Sequence, residues 1–355
     1  MSNITRFNTR LSQIPNGIWS KITQIEELKG RWSAGTNLNP QFLGRLKRSV
    51  LVTSTGASTR IEGSSLSDED VEKLMRGIAI EKFVDRDKQE VGGYFELLQN
   101  VLHSWESLNL RESTIKHFHQ ELLKYVKKDT THRGKYKSKE NQVRMIDAHG
   151  RDMGILFDTT RAYLTPKEMS ELVDWTQEAL REKTYHPLLV VGNFIVEFLH
   201  IHPFEDGNGR LSRILTNLLL LKEGYGYMPY VSHEKLIEDN KSEYYMALRS
   251  SQKTFRTAAE NLIPWLEFFL DIVLQQSKMA IRLITQENVE TLLSPKQLAV
   301  WQYLQKVDTA SPNEIAKYAD VARPTINQVV NKLLHLKKIE RIGQGSSIRY
   351  RKTRS

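Results

Sequence analysis

Apolar residues recur along this chain mostly at three- and four-residue intervals, the pattern of amphipathic helices rather than of strands. Ile18, Ile22, Ile25 and Leu28 predict a helix from about Gly17 to Trp32. A second begins after Asn39-Pro40, carries Leu43, Leu46, Val50, Ala57 and Ile61, and ends at Glu62 with Gly63 suited to C′. Ser67 reads as the N-cap of a helix reaching about Arg76, with acids in its first turn. Further helices are expected at about 86–106, 111–127, 165–182, 186–201, 208–223, 234–252 and 258–285. Leu211, Ile214, Leu215, Leu218 and Leu219 form one stripe, and Arg210, Arg213 and Asn217 lie away from it. Residues before Pro15 show no period and are expected to be poorly structured.

One stretch departs from the helical period. His132–Lys137, a polar turn and Gln142–Ile146 read as a weak β-hairpin, so the body is an all-α helical bundle with a β-hairpin appended. The tail changes character again. Ser294–Val307 is one helix, Ser311-Pro312-Asn313-Glu314 opens a second, and Arg323-Pro324-Thr325 opens a third with Ile326, Val329, Val330, Leu333 and Leu334 as its stripe. Ile339–Ile342 and Ser347–Arg351 read as strands about a glycine turn. Three helices and a terminal hairpin make a winged helix-turn-helix pattern.

Composition changes this picture in two places. The chain has no cysteine, which excludes disulfides and thiolate metal sites, and no apolar run long enough for a membrane span. With no signal-peptide pattern at Met1–Arg6, a cytoplasmic location is expected. The net charge is +9, and residues 291–355 hold twelve Lys and Arg against four acids. Nearly all the excess therefore lies in the tail, which points to an anionic partner there.

The densest chemistry lies in His202-Pro203-Phe204-Glu205-Asp206-Gly207-Asn208-Gly209-Arg210, continuing through Leu211-Ser212 to Arg213. Gly207 and Gly209 admit positive φ and close approach to the backbone. Unpaired N–H groups at a helix start, its positive dipole end and two arginines together form an anion site for which polyphosphate is the natural ligand.

This run resembles, at every position, the signature of Fic-domain proteins, and the resemblance extends over roughly residues 15–285. It implies transfer of AMP from ATP to a hydroxyl side chain of a target protein. It assigns His202 as catalytic base, Asp206 as ligand of Mg²⁺, and Gly207, Asn208 and Gly209 as the phosphate cradle. Arg210 would meet the β-phosphate region, Arg213 would clamp the γ-phosphate, and Phe204 would anchor the run in the core. Ser58-Thr59-Arg60-Ile61-Glu62-Gly63 resembles the inhibitory motif of self-regulated members, in which the glutamate, here Glu62, pairs with the last arginine, here Arg213. Ser58 and Glu62 share a helix face.

Gly134-Lys135-Tyr136-Lys137 matches the family's target-binding flap in position and style, where an open strand edge takes an extended target segment. Tyr244 and Tyr245 fall in a segment resembling the one that lines the adenine pocket. The expected organisation is 1–105 as an N-terminal helical region with the inhibitory motif, 106–287 as the catalytic domain and 291–355 as the winged helix. The tail's expected partners are DNA or a second copy of the chain, and no membrane. Two alternatives stay open: removal of AMP by the same site, and an ATP-sensing DNA-binding regulator.

Overall fold

The computed structural model describes residues 5–35, 40–77, 85–146, 152–290, 293–335, 338–343 and 345–353. The chain divides into two compact units, one ending at Ile281 and the other spanning Arg282–Ser355. The first contains α1 (Thr5–Arg10), α2 (Asn16–Ala34), α3 (Pro40–Ile61), α4 (Asp68–Gly77), α5 (Arg86–Ser104) and α6 (Glu112–Leu122). A strand pair follows, β1 (Gln142–Ile146) and β2 (Asp152–Asp158), and then α7 (Thr165–Glu182), α8 (Pro187–Ile201), α9 (Asn208–Lys222), α10 (His233–Asp239), α11 (Lys241–Gln252) and α12 (Ile263–Glu290), whose residues from Arg282 belong to the second unit.

The core is built around α8. Its sequence, Pro187-Leu188-Leu189-Val190-Val191 through Phe198-Leu199, is apolar on every side, and such a helix is stable only when enclosed. Every residue from Leu188 to Leu199 is buried. The helix packs against α7, α9 and α11. Gly192 lets α12 close on it, since a Cβ there would stand 2.8 Å from Leu266 Cδ2. The α9 helix is the second central element, and its stripe of Leu211, Ile214, Leu215 and Leu218 is fully buried.

The N-terminal segment differs from expectation. Thr5–Arg10 is helical, with Phe7 buried against the Trp175 ring. Arg10 donates to the fully buried Glu197 at 2.6 Å and to Glu260 at 2.7 Å, while Arg6 and Arg256 complete the neutralisation of Glu197 at 3.2 and 2.8 Å. A six-residue helix is too short to show a period. Tertiary ion pairs hold it, and losing one partner of such a buried pair costs roughly 3–5 kcal/mol.

The strand pair also lies further along the chain than the pattern suggested. Strands β1 and β2 pair antiparallel, from Gln142 with Asp158 to Ile146 with Asp152. Residues 132–135 are instead turns, and Gly134 N–H and Lys137 N–H bond to His119 and to Pro203 O rather than to a ladder. The expected 234–252 helix is broken at Asn240 into α10 and α11.

The second unit contains α13 (Pro295–Lys306), α14 (Pro312–Ala319), α15 (Arg323–His335) and the antiparallel pair β3 (Ile339–Ile342) and β4 (Arg349–Lys352). Both α13 and α14 open with a capping box and proline in the first turn. Val300, Leu304, Ile315, Ile326, Val329, Val330, Leu333 and Ile339 form its core, and Tyr350 in β4 exchanges backbone hydrogen bonds with Ala310.

Candidate active site

The loop between α8 and α9 is stapled from within. His202 closes α8 in the left-handed conformation, φ 51°, and its N–H donates to Phe198 O. Gly207, φ 78°, opens α9; an added Cβ there would stand 3.1 Å from Leu122 Cδ2. Between them Phe204 is fully buried, as its anchor role requires, and stacks on the His119 ring at 3.9 Å. Asn208 accepts from Phe204 N–H at 3.0 Å and donates to Phe204 O at 2.8 Å. Its side chain is thus committed to the loop, and what it offers an incoming anion is its backbone N–H at the start of α9.

At the far side of this helix start, the end of α3 meets Arg213. Arg213 Nε donates to Ser58 Oγ at 2.8 Å, and one terminal nitrogen donates to Ser58 O at 2.9 Å and Glu62 Oε1 at 2.7 Å. Nη1 is buried without a hydrogen-bond partner among the described residues. Burial opposes the charge, yet the Glu62 carboxylate holds Arg213 protonated, its pKa above the ordinary guanidinium value.

Local sequence places Glu62 there. Gly63, φ 104°, ends α3 with Gly63 N–H bonded to Arg60 O and Ser64 N–H to Thr59 O, so Glu62 sits at the C-cap. Arg60 fixes the same end by a two-pronged bond to Glu238 in α10, at 2.6 and 3.1 Å. The Glu62 carboxylate lies over Gly209, where a Cβ would come within 2.1 Å of Oε1. A carboxylate therefore fills the space that glycine leaves open at the dipole's positive end.

Asp206 lies at the other side of the loop. Its Oδ1 accepts the Gly207 N–H at 2.6 Å, and its Oδ2 accepts from Arg86 at 2.7 Å and from Arg210 at 3.1 Å. Burial works against its charge, but Arg210, the Gly207 N–H and Arg86 hold it below the usual carboxylate range. Arg210 also pairs with Glu90 at 2.7 Å, and Arg86 pairs with Glu90 at 2.7 Å and Asp129 at 3.6 Å. Among the described residues no group of three or more His or acid side chains converges as a metal site. A lone carboxylate still suits Mg²⁺, which takes one or two protein oxygens and completes its shell with phosphate oxygens and water. Asp206 fits that role once Arg86 withdraws.

His202 Nδ1 lies 3.2 Å from Leu199 O, so the proton sits on Nδ1 and Nε2 is left as acceptor. The ring is largely buried, and that burial disfavours the cation and pushes its pKa down to about 4, with Lys137 acting in the same direction. His119 is held as a similar neutral spacer: Nδ1 accepts the Gly134 N–H at 2.9 Å and Nε2 donates to Asp206 O at 3.0 Å. Of the two tyrosines, Tyr244 is buried beside Trp265 and Phe268 as part of the core. Tyr245 is half-buried and touches Tyr244 at 5.1 Å. His200 is packed edge-on against Phe255, in keeping with a structural place.

Sequence reasoning singled out Lys137 only as part of the flap match, and missed His119, Arg86 and Glu90. None carries a local signal, because each reaches the loop from a distant helix or turn.

His119, His200 and His202 are all pushed down to about 4 by burial. Between pH 6.5 and 4 the unfolded chain takes up protons that the folded chain refuses, so stability falls as pH falls through that window. A melting temperature that stays level from pH 7 to 4.5 would contradict this.

Residues 109–220 match the Fic/DOC family. The chain is 24% identical over 290 residues to the protein adenylyltransferase Fic of Drosophila virilis, covering 78% of this chain and 54% of that protein. To the same-named protein of Aedes aegypti it is 40% identical over 63 residues, 17% of this chain and 13% of that protein. The chain thus spans about half or less of the length of these curated relatives. A Fic family protein from Desulfovibrio desulfuricans superposes with TM-score 0.62 at 24% identity, covering 96% of this chain and 97% of that one. A Fic domain containing signaling protein from Bacteroides thetaiotaomicron gives TM-score 0.58 at 24% identity, covering 74% and 97%. At these identities the structural likeness speaks for the fold.

Proposed function

From the Fic/DOC domain at residues 109–220, we propose that the protein transfers AMP from ATP to a hydroxyl of a target protein and of itself, and that Glu62 restrains it. The observation that carries this reading is the Glu62 carboxylate seated on Arg213 above Gly209, an acid occupying the anion position of a helix start. With Glu62 withdrawn, Arg213 is free for the γ-phosphate by the bidentate geometry of a guanidinium, and the N–H groups opening α9 face the remaining phosphates. The acceptor hydroxyl attacks the α-phosphorus while His202 Nε2 takes its proton. The bond from the α-phosphorus to the bridging oxygen breaks, and pyrophosphate leaves toward Arg210 and Arg213. Mg²⁺ held by Asp206 would offset charge on the phosphates. Tyr245 is the better placed of the two tyrosines to meet the adenine face. Transfer is tested by retention on the protein of label from the α-phosphate of ATP.

Arg86 enters this reading as a cation that Mg²⁺ must displace from Asp206. Arg86→Gln is therefore expected to tighten Mn²⁺ binding in the presence of ATP by about two- to fivefold, the scale of a part-exposed ion pair. Free Mn²⁺ read by electron paramagnetic resonance checks this; unchanged or weaker binding would speak against it.

For the second unit we propose a winged helix-turn-helix that binds duplex DNA. Supporting this, Arg323, Asn327, Gln328 and Asn331 are exposed along α15, and amide side chains match adenine edges. Arg341 and Lys352 are exposed on the strand pair. Binding to random duplex should weaken steeply between 50 and 200 mM salt, in the manner of phosphate contacts. No binding at 50 mM salt, with mass rising on concentration, would favour self-association instead.

A further inference from the structure

Lys137 is almost wholly buried, 3% exposed, and among the described residues its ammonium has no carboxylate partner within bonding distance. Its three protons go to neutral oxygens: Asn141 Oδ1 at 2.7 Å, Thr159 Oγ1 at 2.9 Å and Ile201 O at 3.0 Å. An ammonium buried without a counter-ion is costly, and a methionine stem of similar shape would suit packing better. Its presence therefore calls for a reason other than stability.

The partners supply one. Asn141 immediately precedes β1 and Thr159 immediately follows β2, so the ammonium grips both roots of the strand pair. Thr159 Oγ1 also bonds Asn141, closing the roots on each other. Ile201 O is the last carbonyl of α8, the negative end of its dipole. The backbone of the same lysine donates to Pro203 O at 2.8 Å, and Asn141 Nδ2 donates to Phe204 O at 3.0 Å. Residues 201, 203 and 204 are thus all held from this one point, and between them His202 keeps a left-handed backbone that persists only where its surroundings enforce it.

We propose that Lys137 is a positioning residue for the transfer reaction: its ammonium fastens the roots of β1 and β2 to the loop carrying His202, and so sets where an acceptor hydroxyl laid along the strand pair stands relative to the base. The proposal rests on AMP transfer at His202. An extended target segment adding to the edge of the pair inherits its register, and the Lys137 grip converts that register into a distance from Nε2. Misplacement by about 1 Å suffices to cost roughly a hundredfold in rate.

The test uses the full chain in a Glu62→Gly background, comparing Lys137→Gln and Lys137→Arg. Lys137→Gln is expected to lower kcat for labelling by roughly 10–100-fold with the KM for ATP within about twofold, and Lys137→Arg to recover part of the loss. Hydrogen exchange reads the coupling without turnover. In Lys137→Gln, amides of 142–146 and 152–158 should exchange at least about tenfold faster, from loss of charge-assisted hydrogen bonds, while those of α9 stay unchanged. Should Lys137→Gln fail to fold, Thr159→Val carries the same expectations. Unchanged labelling and exchange would overturn the proposal, as would a fall in ATP affinity that parallels the fall in rate. Absence of any label in Glu62→Gly with exchange altered as stated would sink the transfer reading and leave the grip standing.

Discussion

Glu62→Gly is expected to turn a weakly self-labelling protein into a strongly labelling one, by about 10–100-fold with α-phosphate-labelled ATP. The magnitude follows from what the substitution removes. The Glu62 carboxylate makes a charge-assisted bond to Arg213 at 2.7 Å and lies over Gly209, so bound polyphosphate must displace it from both places. A hydrogen bond of this kind is worth about 1.5–3 kcal/mol, and each 1.4 kcal/mol is tenfold. Glycine at 62 takes away the competitor and leaves the Gly63 cap and the Arg60–Glu238 bond in place, so α3 should keep its seat. Labelling equal with and without Glu62 would remove the restraint and leave the chemistry untouched.

His202→Ala in the same background is expected to abolish labelling, a loss of about 10²–10⁴-fold, the usual contribution of a positioned base. With its proton fixed on Nδ1 by Leu199 O, His202 presents a bare Nε2, and a pKa near 4 keeps that nitrogen unprotonated at neutral pH. ATP binding, which the proposed reaction assigns to Arg213 and the start of α9, should survive the substitution. A variant that loses ATP binding and labelling together would argue that the histidine shapes the loop instead of serving as base.

Much of this site was legible in the chain because its chemistry is contiguous. The run from His202 to Arg213 spans the end of one helix and the start of the next, and the stripe from Leu211 to Leu219 separated its apolar face from the face carrying Arg210, Arg213 and Asn217, although that second face is buried as well. The Ser58–Glu62 segment was legible as a helix end because Gly63 marks it. The remainder depends on distant contacts. Arg86 reaches Asp206 across 120 residues of chain, and the Thr5–Arg10 helix exists because buried Glu197 requires cations. The strand pair was placed too early because His132–Lys137 alternates like a strand, whereas its groups bond to His119 and Pro203. Pattern reports what a segment could form; it does not report which neighbour satisfies its polar groups.

The most direct test of the central claim is to incubate the Glu62→Gly protein with Mg²⁺ and ATP labelled in parallel at the α- or the γ-phosphate, then denature it and count label on the protein. Transfer of AMP by His202 predicts label from the α-position and none from the γ-position. Label carried from the γ-position would contradict the account.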